Sequence, residues 1–259
     1  MTACVIILAY AAGRGVAGTV LTGLAILAGQ FSVGWSNDYL DRQLDQAAGR
    51  ADKPVALGLV RPRLVAAAAC GAFACCVPLS LASGWRAGIA HLAGVCSAWA
   101  YNLSLKRSAW SPLPYMVAFG LLPAFVSLGL PGHPWPAWWA VTAGALLGAG
   151  IHFADVLPDI DEDLATGVRG LPQRLGGAAS RLTAGAMFAG AAAVLAIAGG
   201  SFDGVTVAGL GISAAAAAAG VAAAARPARG IVRSHTMHAI VAAGFLDVAL
   251  LVARGARLH

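Results

Sequence analysis

VAGTVLTGLAILAGQFSVGWSNDYLDRQLD, residues 16–45, carries two messages joined end to end. From Val16 to Ser36 no residue is charged, and the run is long enough to cross a ~30 Å hydrocarbon core, which takes roughly 20 apolar residues. From Asn37 onward the chain gains Asp38, Asp41, Arg42 and Asp45 with no Gly or Pro to stop a helix. The stretch therefore reads as a membrane-crossing helix that continues into an acidic end at the interface.

The rest of the chain repeats the first message. Of 259 residues, 59% are hydrophobic and 11% charged, against about 25% charged in a soluble domain. Apolar runs near 2–13, 16–38, 63–82, 85–104, 111–130, 135–155, 178–199, 203–225 and 236–253 predict an all-α integral membrane protein of about nine helices, one domain over residues 1–259. The first run is short for an ordinary crossing. Met1 leads into it without a basic segment, so no cleavable signal peptide is expected. Alanine runs such as Ala214–Ala219 suit close helix packing. Cys4, Cys70, Cys75, Cys76 and Cys96 lie in apolar runs without metal-ligand spacing and read as packing residues.

The net charge of +6 is not a nucleic-acid footprint, because the basic residues sit in short loops and form no stripe. Of the 17 Lys and Arg residues, 13 fall in loops after the second, fourth, sixth and eighth runs; only Arg14, Arg86, Arg254 and Arg257 fall on the other side. Positive residues favour the cytoplasmic face. The expected location is the cytoplasmic membrane, with those four loops in the cytoplasm.

Nine of the 11 acidic residues gather at two of these cytoplasmic ends. On a helix, Asp38, Asp41 and Asp45 fall at i, i+3 and i+7, and Asn37 joins Asp41 and Asp45 in an i, i+4, i+8 row. Asp155, Asp159 and Asp163 form a second i, i+4, i+8 row, with Glu162 beside it, Asp161 pointing away, and Pro158 expected to kink the helix. Rows of carboxylates repel unless a cation sits between them. Mg²⁺ fits, since it takes oxygen ligands and commonly bridges carboxylates to substrate phosphates. A solvated helix end explains one row; two rows on one face point to a shared metal–phosphate site. Arg50, Lys53, Lys106, Arg107, Arg169 and Arg174 supply cations for phosphate oxygens, although topology alone also puts basic residues in these loops.

These segments resemble the UbiA superfamily of intramembrane prenyltransferases. Asn37-Asp38-x-x-Asp41-x-x-x-Asp45 resembles its first aspartate-rich motif, Arg50-Ala51-Asp52-Lys53-Pro54 the basic tail after it, and Tyr101-Asn102-Leu103-Ser104-Leu105-Lys106-Arg107 its Tyr…Leu-Lys-Arg segment. Asp159-x-x-x-Asp163 with Thr166–Pro172 and Arg174-Leu175-Gly176 resembles the second motif. Asp155 departs from the pattern, where relatives often carry Asn, and the first span is shorter than usual. The resemblance implies a nine-helix bundle with a central cavity open to lipid. It implies a Mg²⁺-dependent prenyltransferase that moves a prenyl group from an allylic diphosphate to a small acceptor.

Within that reading Asp38, Asp41, Asp45, Asp159 and Asp163 ligate metal. Asn37, Arg50, Lys53, Lys106, Arg107 and Arg169 hold the diphosphate or support the metal, and Tyr101 bounds the reacting end. Asp155 either joins the metal shell or acts as a base toward the acceptor. His152 and His91 read as hydrogen-bonded packing residues or pocket residues, and Asp247 as an intramembrane pairing residue or a functional one. A class I terpene cyclase on the same fold would use the same metal site without an acceptor. A transporter with acidic cation sites fits less well, because transport sites lie near the midplane. Prenyl length, acceptor identity and oligomeric state are not written in the sequence.

Overall fold

The computed structural model of the protein describes residues 1–50 and 53–198, with single positions 211 and 215. The described residues are helical, with no strand among them. Helix α1 (Thr2–Ala11) turns through Gly13 (φ 88°) and Gly15 (φ 67°) into α2 (Gly15–Ala47). Then come α3 (Pro62–Leu81), α4 (Trp85–Leu103), α5 (Pro112–Leu128), α6 (Trp138–Val156), the short α7 (Ile160–Ala165) and α8 (Leu171–Ala198). Pro62 and Pro112 open their helices where no intrahelical donor is needed.

These elements match the first seven apolar runs; those at 203–225 and 236–253, and Asp247, lie outside the described residues. Gly15–Ala47, Pro62–Leu81, Trp138–Ala165 and Leu171–Ala198 are long and apolar enough to cross a membrane. Helix α5, at 17 residues, is about 26 Å long, a little short of the hydrocarbon core. Outward-facing Val16, Leu64, Trp138 and Ile197 are each more than 60% exposed, which suits a lipid-facing surface.

Two expected boundaries move for physical reasons. Helix α2 runs nine residues past position 38, because an interface ends the apolar run without ending the backbone hydrogen bonds. Helix α8 starts at Leu171 because a first turn precedes Gly176, whose φ of 77° breaks it from the long apolar part. The second acidic row also departs from its expected form. Pro158 lies in a 3₁₀ turn, Leu157–Asp159, so the row is carried by the end of α6, that turn and α7. Proline has no N–H to give an α-helical ladder, and the tighter turn takes up the gap.

Packing leaves room at the centre. Helix α4 packs on α2 and α5, and α5 packs on α6, so α4 and α5 stand between the two helices with acidic ends. The α5–α6 contact is close enough to exclude a side chain: a Cβ at Gly144 would lie 2.7 Å from the Phe119 carbonyl oxygen. Phe125, Leu147, Phe188 and Leu195 fill the bundle beside this contact.

Candidate active site

Helix α2 sets the first wall of the site. Asn37, Asp41 and Asp45 line a central cavity of about 600 Å³. These are the i, i+4, i+8 members of the row; Asp38, off that row, is outside the lining and accepts a hydrogen bond from Lys53 Nζ at 2.7 Å. Asn37 is oriented from below. Its Nδ2 donates to Asp41 Oδ2 at 2.7 Å, and it meets Asn102 Oδ1 at 3.5 Å. Asn102 is anchored to α2 through Ser36 Oγ at 2.8 Å and the Val33 carbonyl at 2.9 Å.

Lys106, in the 3₁₀ turn Leu105–Arg107 after α4, donates to Asp41 Oδ1. Lys106 is 8% exposed, so its ammonium is matched to one carboxylate and sees little water. Asp45 Oδ2 is buried and has no hydrogen-bond partner. A bare carboxylate oxygen away from water is costly, which makes it a ready ligand for an incoming cation.

Arg50 joins the two acidic ends. From the loop after α2, its guanidinium donates to Asp159 Oδ2 at 2.8 Å and to Glu162 Oε1 at 3.0 Å, 109 and 112 residues away. Hydrogen bonds to Asp159 and then Glu162 push its pKa above the ordinary arginine value, so it remains a cation. Asp155, Asp159, Glu162 and Asp163 all line the same cavity. Asp163 accepts from Gln173 Nε2 at 2.7 Å.

Above these charges the wall becomes aromatic and then apolar. Tyr101 and Tyr115 meet edge to face at 5.2 Å, and Tyr115 Oη donates to Asp155 Oδ2 at 3.4 Å. Val33, Val95, Ala118, Phe119 and Leu122 continue the lining. His91 also reaches the wall, with Nδ1 2.8 Å from Ser80 Oγ and its ring stacked on Phe125. His152 does not line the cavity: it is buried behind Tyr101 and Tyr115, 3.0 Å from Ser111 Oγ.

Of the residues singled out from sequence, Asn37, Asp41, Asp45, Arg50, Lys53, Tyr101, Lys106, Asp155, Asp159 and Asp163 come together around this cavity. Asp38 stands at its edge through Lys53. Arg107 and Arg169 are exposed and not part of the lining. Three residues had no assigned role: Asn102, Tyr115 and Gln173. Asn102 and Gln173 lie inside or between the motif segments, where an uncharged polar residue was a visible signal. Tyr115 offers none, being one aromatic in an apolar run.

Chemically, the site can hold a hard divalent cation with an anionic ligand. No three His, Cys, Asp or Glu side chains among the described residues stand close enough to form a protein-only metal cage. Mg²⁺ seldom uses one; it keeps waters and takes one or two carboxylates plus substrate phosphates. The donor set and the unpartnered Asp45 oxygen fit that mode. The adjacent apolar volume suits a hydrocarbon, and 600 Å³ is in the usual range for ligand pockets, about 300–1,000 Å³.

Residues 1–243 match the family model described as the UbiA prenyltransferase family. Among solved structures, the chain resembles one described as digeranylgeranylglyceryl phosphate synthase (TM-score 0.69, 15% identity, 99% of this chain and 93% of the other). It also resembles a UbiA homolog from Aeropyrum pernix in its apo form (TM-score 0.67, 18% identity, 98% and 96% coverage). A UbiA homolog from Archaeoglobus fulgidus bound to DMAPP and Mg²⁺ is similar at TM-score 0.66, 16% identity and 96% coverage of both chains. At these identities the likeness is one of fold. Comparison with curated proteins gives no match.

Proposed function

The chain belongs to the UbiA prenyltransferase family, and from that premise we propose that it is a Mg²⁺-dependent membrane enzyme transferring a prenyl group from an allylic diphosphate to a small acceptor. The observation that carries this reading is one cavity, lined at one end by both acidic segments and their cations and further in by aromatic and apolar side chains. A prenyl diphosphate has the same division into charge and hydrocarbon.

In this reading Asp41, Asp45, Asp159 and Asp163 hold Mg²⁺, with Asp38 supporting from the edge. Bound there, Mg²⁺ neutralises the diphosphate and the charge it carries away on leaving. Arg50, Lys53 and Lys106 take phosphate oxygens, and Asn37 orients Asp41. Arg107 and Arg169 act at most in long-range attraction of the anion, consistent with their exposure. The carbon–oxygen bond of the allylic diphosphate breaks, diphosphate departs with the electron pair, and an acceptor atom bonds the allylic carbon. The acceptor's proton goes to Asp155, on which Tyr115 already sits. Tyr101 and Tyr115 face the electron-poor allyl group, and the apolar wall keeps water from quenching it.

We read residues 1–259 as one membrane domain; the expected runs at 203–225 and 236–253 lie outside the described residues. The charged end opens to the cytoplasm, in keeping with the Lys and Arg distribution. Incubating purified protein with labelled prenyl diphosphate and Mg²⁺, with and without phenolic, quinone-precursor and glycerol phosphate acceptors, tests the reading. The expected product contains both skeletons. A cyclic terpene formed without any acceptor would replace the transferase with a cyclase.

A further inference from the structure

Gln173 is 6% exposed at the start of α8. Its Nε2 donates to Asp163 Oδ2 at 2.7 Å. A carboxylate only accepts, so the amide must present its nitrogen here and its oxygen elsewhere. That oxygen is buried without a hydrogen-bond partner, packed over Gly170, where a Cβ would come within 2.7 Å of it. An apolar side chain would avoid leaving an acceptor unmet. The donor half of the amide is therefore the half in use.

The segment carrying Gln173 is tied down around it. Leu171 N donates to Ser111 Oγ at 2.9 Å, Arg174 N to the Gly170 carbonyl at 3.1 Å, and Ser180 Oγ to the Pro172 carbonyl at 3.0 Å. The loop before it closes on the same acid, with Val168 N donating to the Asp163 carbonyl at 2.8 Å. Gln173 and Asp163 are thus held in fixed relation. The partner's chemistry also differs from that of its neighbours. Asp38, Asp41 and Asp159 are each bonded to a lysine or arginine, Asp41 to the Asn37 amide as well, whereas the side chain bonded to Asp163 is a neutral amide. An amide orients a carboxylate without cancelling its charge.

We infer that Gln173 is a positioning residue for the metal centre, fixing Asp163 through one oxygen so that the other is presented, still charged, to a divalent cation. This rests on the Mg²⁺-dependent reading above. Groups that orient metal ligands typically change metal affinity about 10–100-fold when removed. The test is titration of the purified full-length protein with MnCl₂ alone, followed by electron paramagnetic resonance, together with thermal unfolding.

Gln173→Leu removes the donor at similar volume, and Gln173→Asn keeps the chemistry but falls one methylene short of Asp163. Both variants are expected to weaken Mn²⁺ binding at least about tenfold while melting near the wild-type temperature. Their turnover should return toward wild type at high Mg²⁺. If Gln173→Leu does not fold, Gln173→Asn carries the test. Unchanged Mn²⁺ affinity, or a loss of affinity that only tracks lost stability, overturns the inference. Failure of the wild type to bind Mn²⁺ would instead sink the functional reading beneath it.

Discussion

Replacing Asp41 by Asn should destabilise the protein as well as silence it. The carboxylate is the hydrogen-bonded counter-charge of Lys106, and the two side chains are only 15% and 9% exposed. Removing one member of a buried ion pair costs about 3–5 kcal/mol, because the other charge is left without compensation. Here the pair borders a cavity and Asn37 still contacts residue 41, so about 2–3 kcal/mol is expected, just below that range. For a chain of this size that is a fall in melting temperature of roughly 4–12 °C. Lys106→Met should cost a similar amount. Combining Asp41→Asn with Lys106→Met removes both charges and should restore stability to within about 1 kcal/mol of wild type. Turnover should stay absent, because both side chains are assigned to the diphosphate site. The assay is a double-mutant cycle by thermal unfolding in detergent, followed by the fluorescence of the seven tryptophans, with labelled prenyl diphosphate consumption measured in parallel. Additive losses of stability, or an active double variant, would refute the reasoning.

Asp159→Asn should lower turnover at least about 100-fold while changing stability by under about 1 kcal/mol, since its bond to Arg50 is partly solvated and Glu162 remains; retained turnover at saturating Mg²⁺ would count against its role. Gly144→Ala forces a methyl group against the Phe119 carbonyl and should cost about 1–3 kcal/mol, read as a lower melting temperature; an unchanged one would mean α5 and α6 can separate freely. Asp155→Asn should slow coupling to the acceptor more than acceptor-independent diphosphate release, as judged by mass spectrometry of both products. Equal slowing of the two would move Asp155 into the metal shell.

Much of this was legible in the chain. Long apolar runs force helices in lipid, where every backbone polar group must be met internally, so the first seven runs and the acidic rows could be read without coordinates. Periodicity put Asn37, Asp41 and Asp45 in one row but grouped Asp38 with them as a ligand; the structure lines the cavity with the first three and turns Asp38 to Lys53 at its edge. What periodicity left open is which groups pair across distance. Asp41 reads in sequence as a metal ligand; its bond to buried Lys106, 65 residues away, gives it a structural role as well. The Arg50 bridge between the two acidic ends depends in the same way on tertiary geometry. Arg107 and Arg169 show the converse, since a loop needs basic residues for topology whether or not they reach a ligand. Gln173 had a visible signal, an uncharged polar residue within the second motif segment, but its pairing with Asp163, 10 residues away, depends on tertiary geometry.

On this reading two acidic segments more than 100 residues apart form one metal–diphosphate site at the charged end of an apolar cavity. Crystals grown with a non-hydrolysable prenyl thiodiphosphate and Mn²⁺ test it most directly, through the anomalous scattering of the metal. The predicted map has Mn²⁺ between the Asp41–Asp45 and Asp159–Asp163 carboxylates, with the prenyl chain running along Val33, Val95 and Phe119. Metal at only one segment, or a prenyl chain lying outside this cavity, would contradict it.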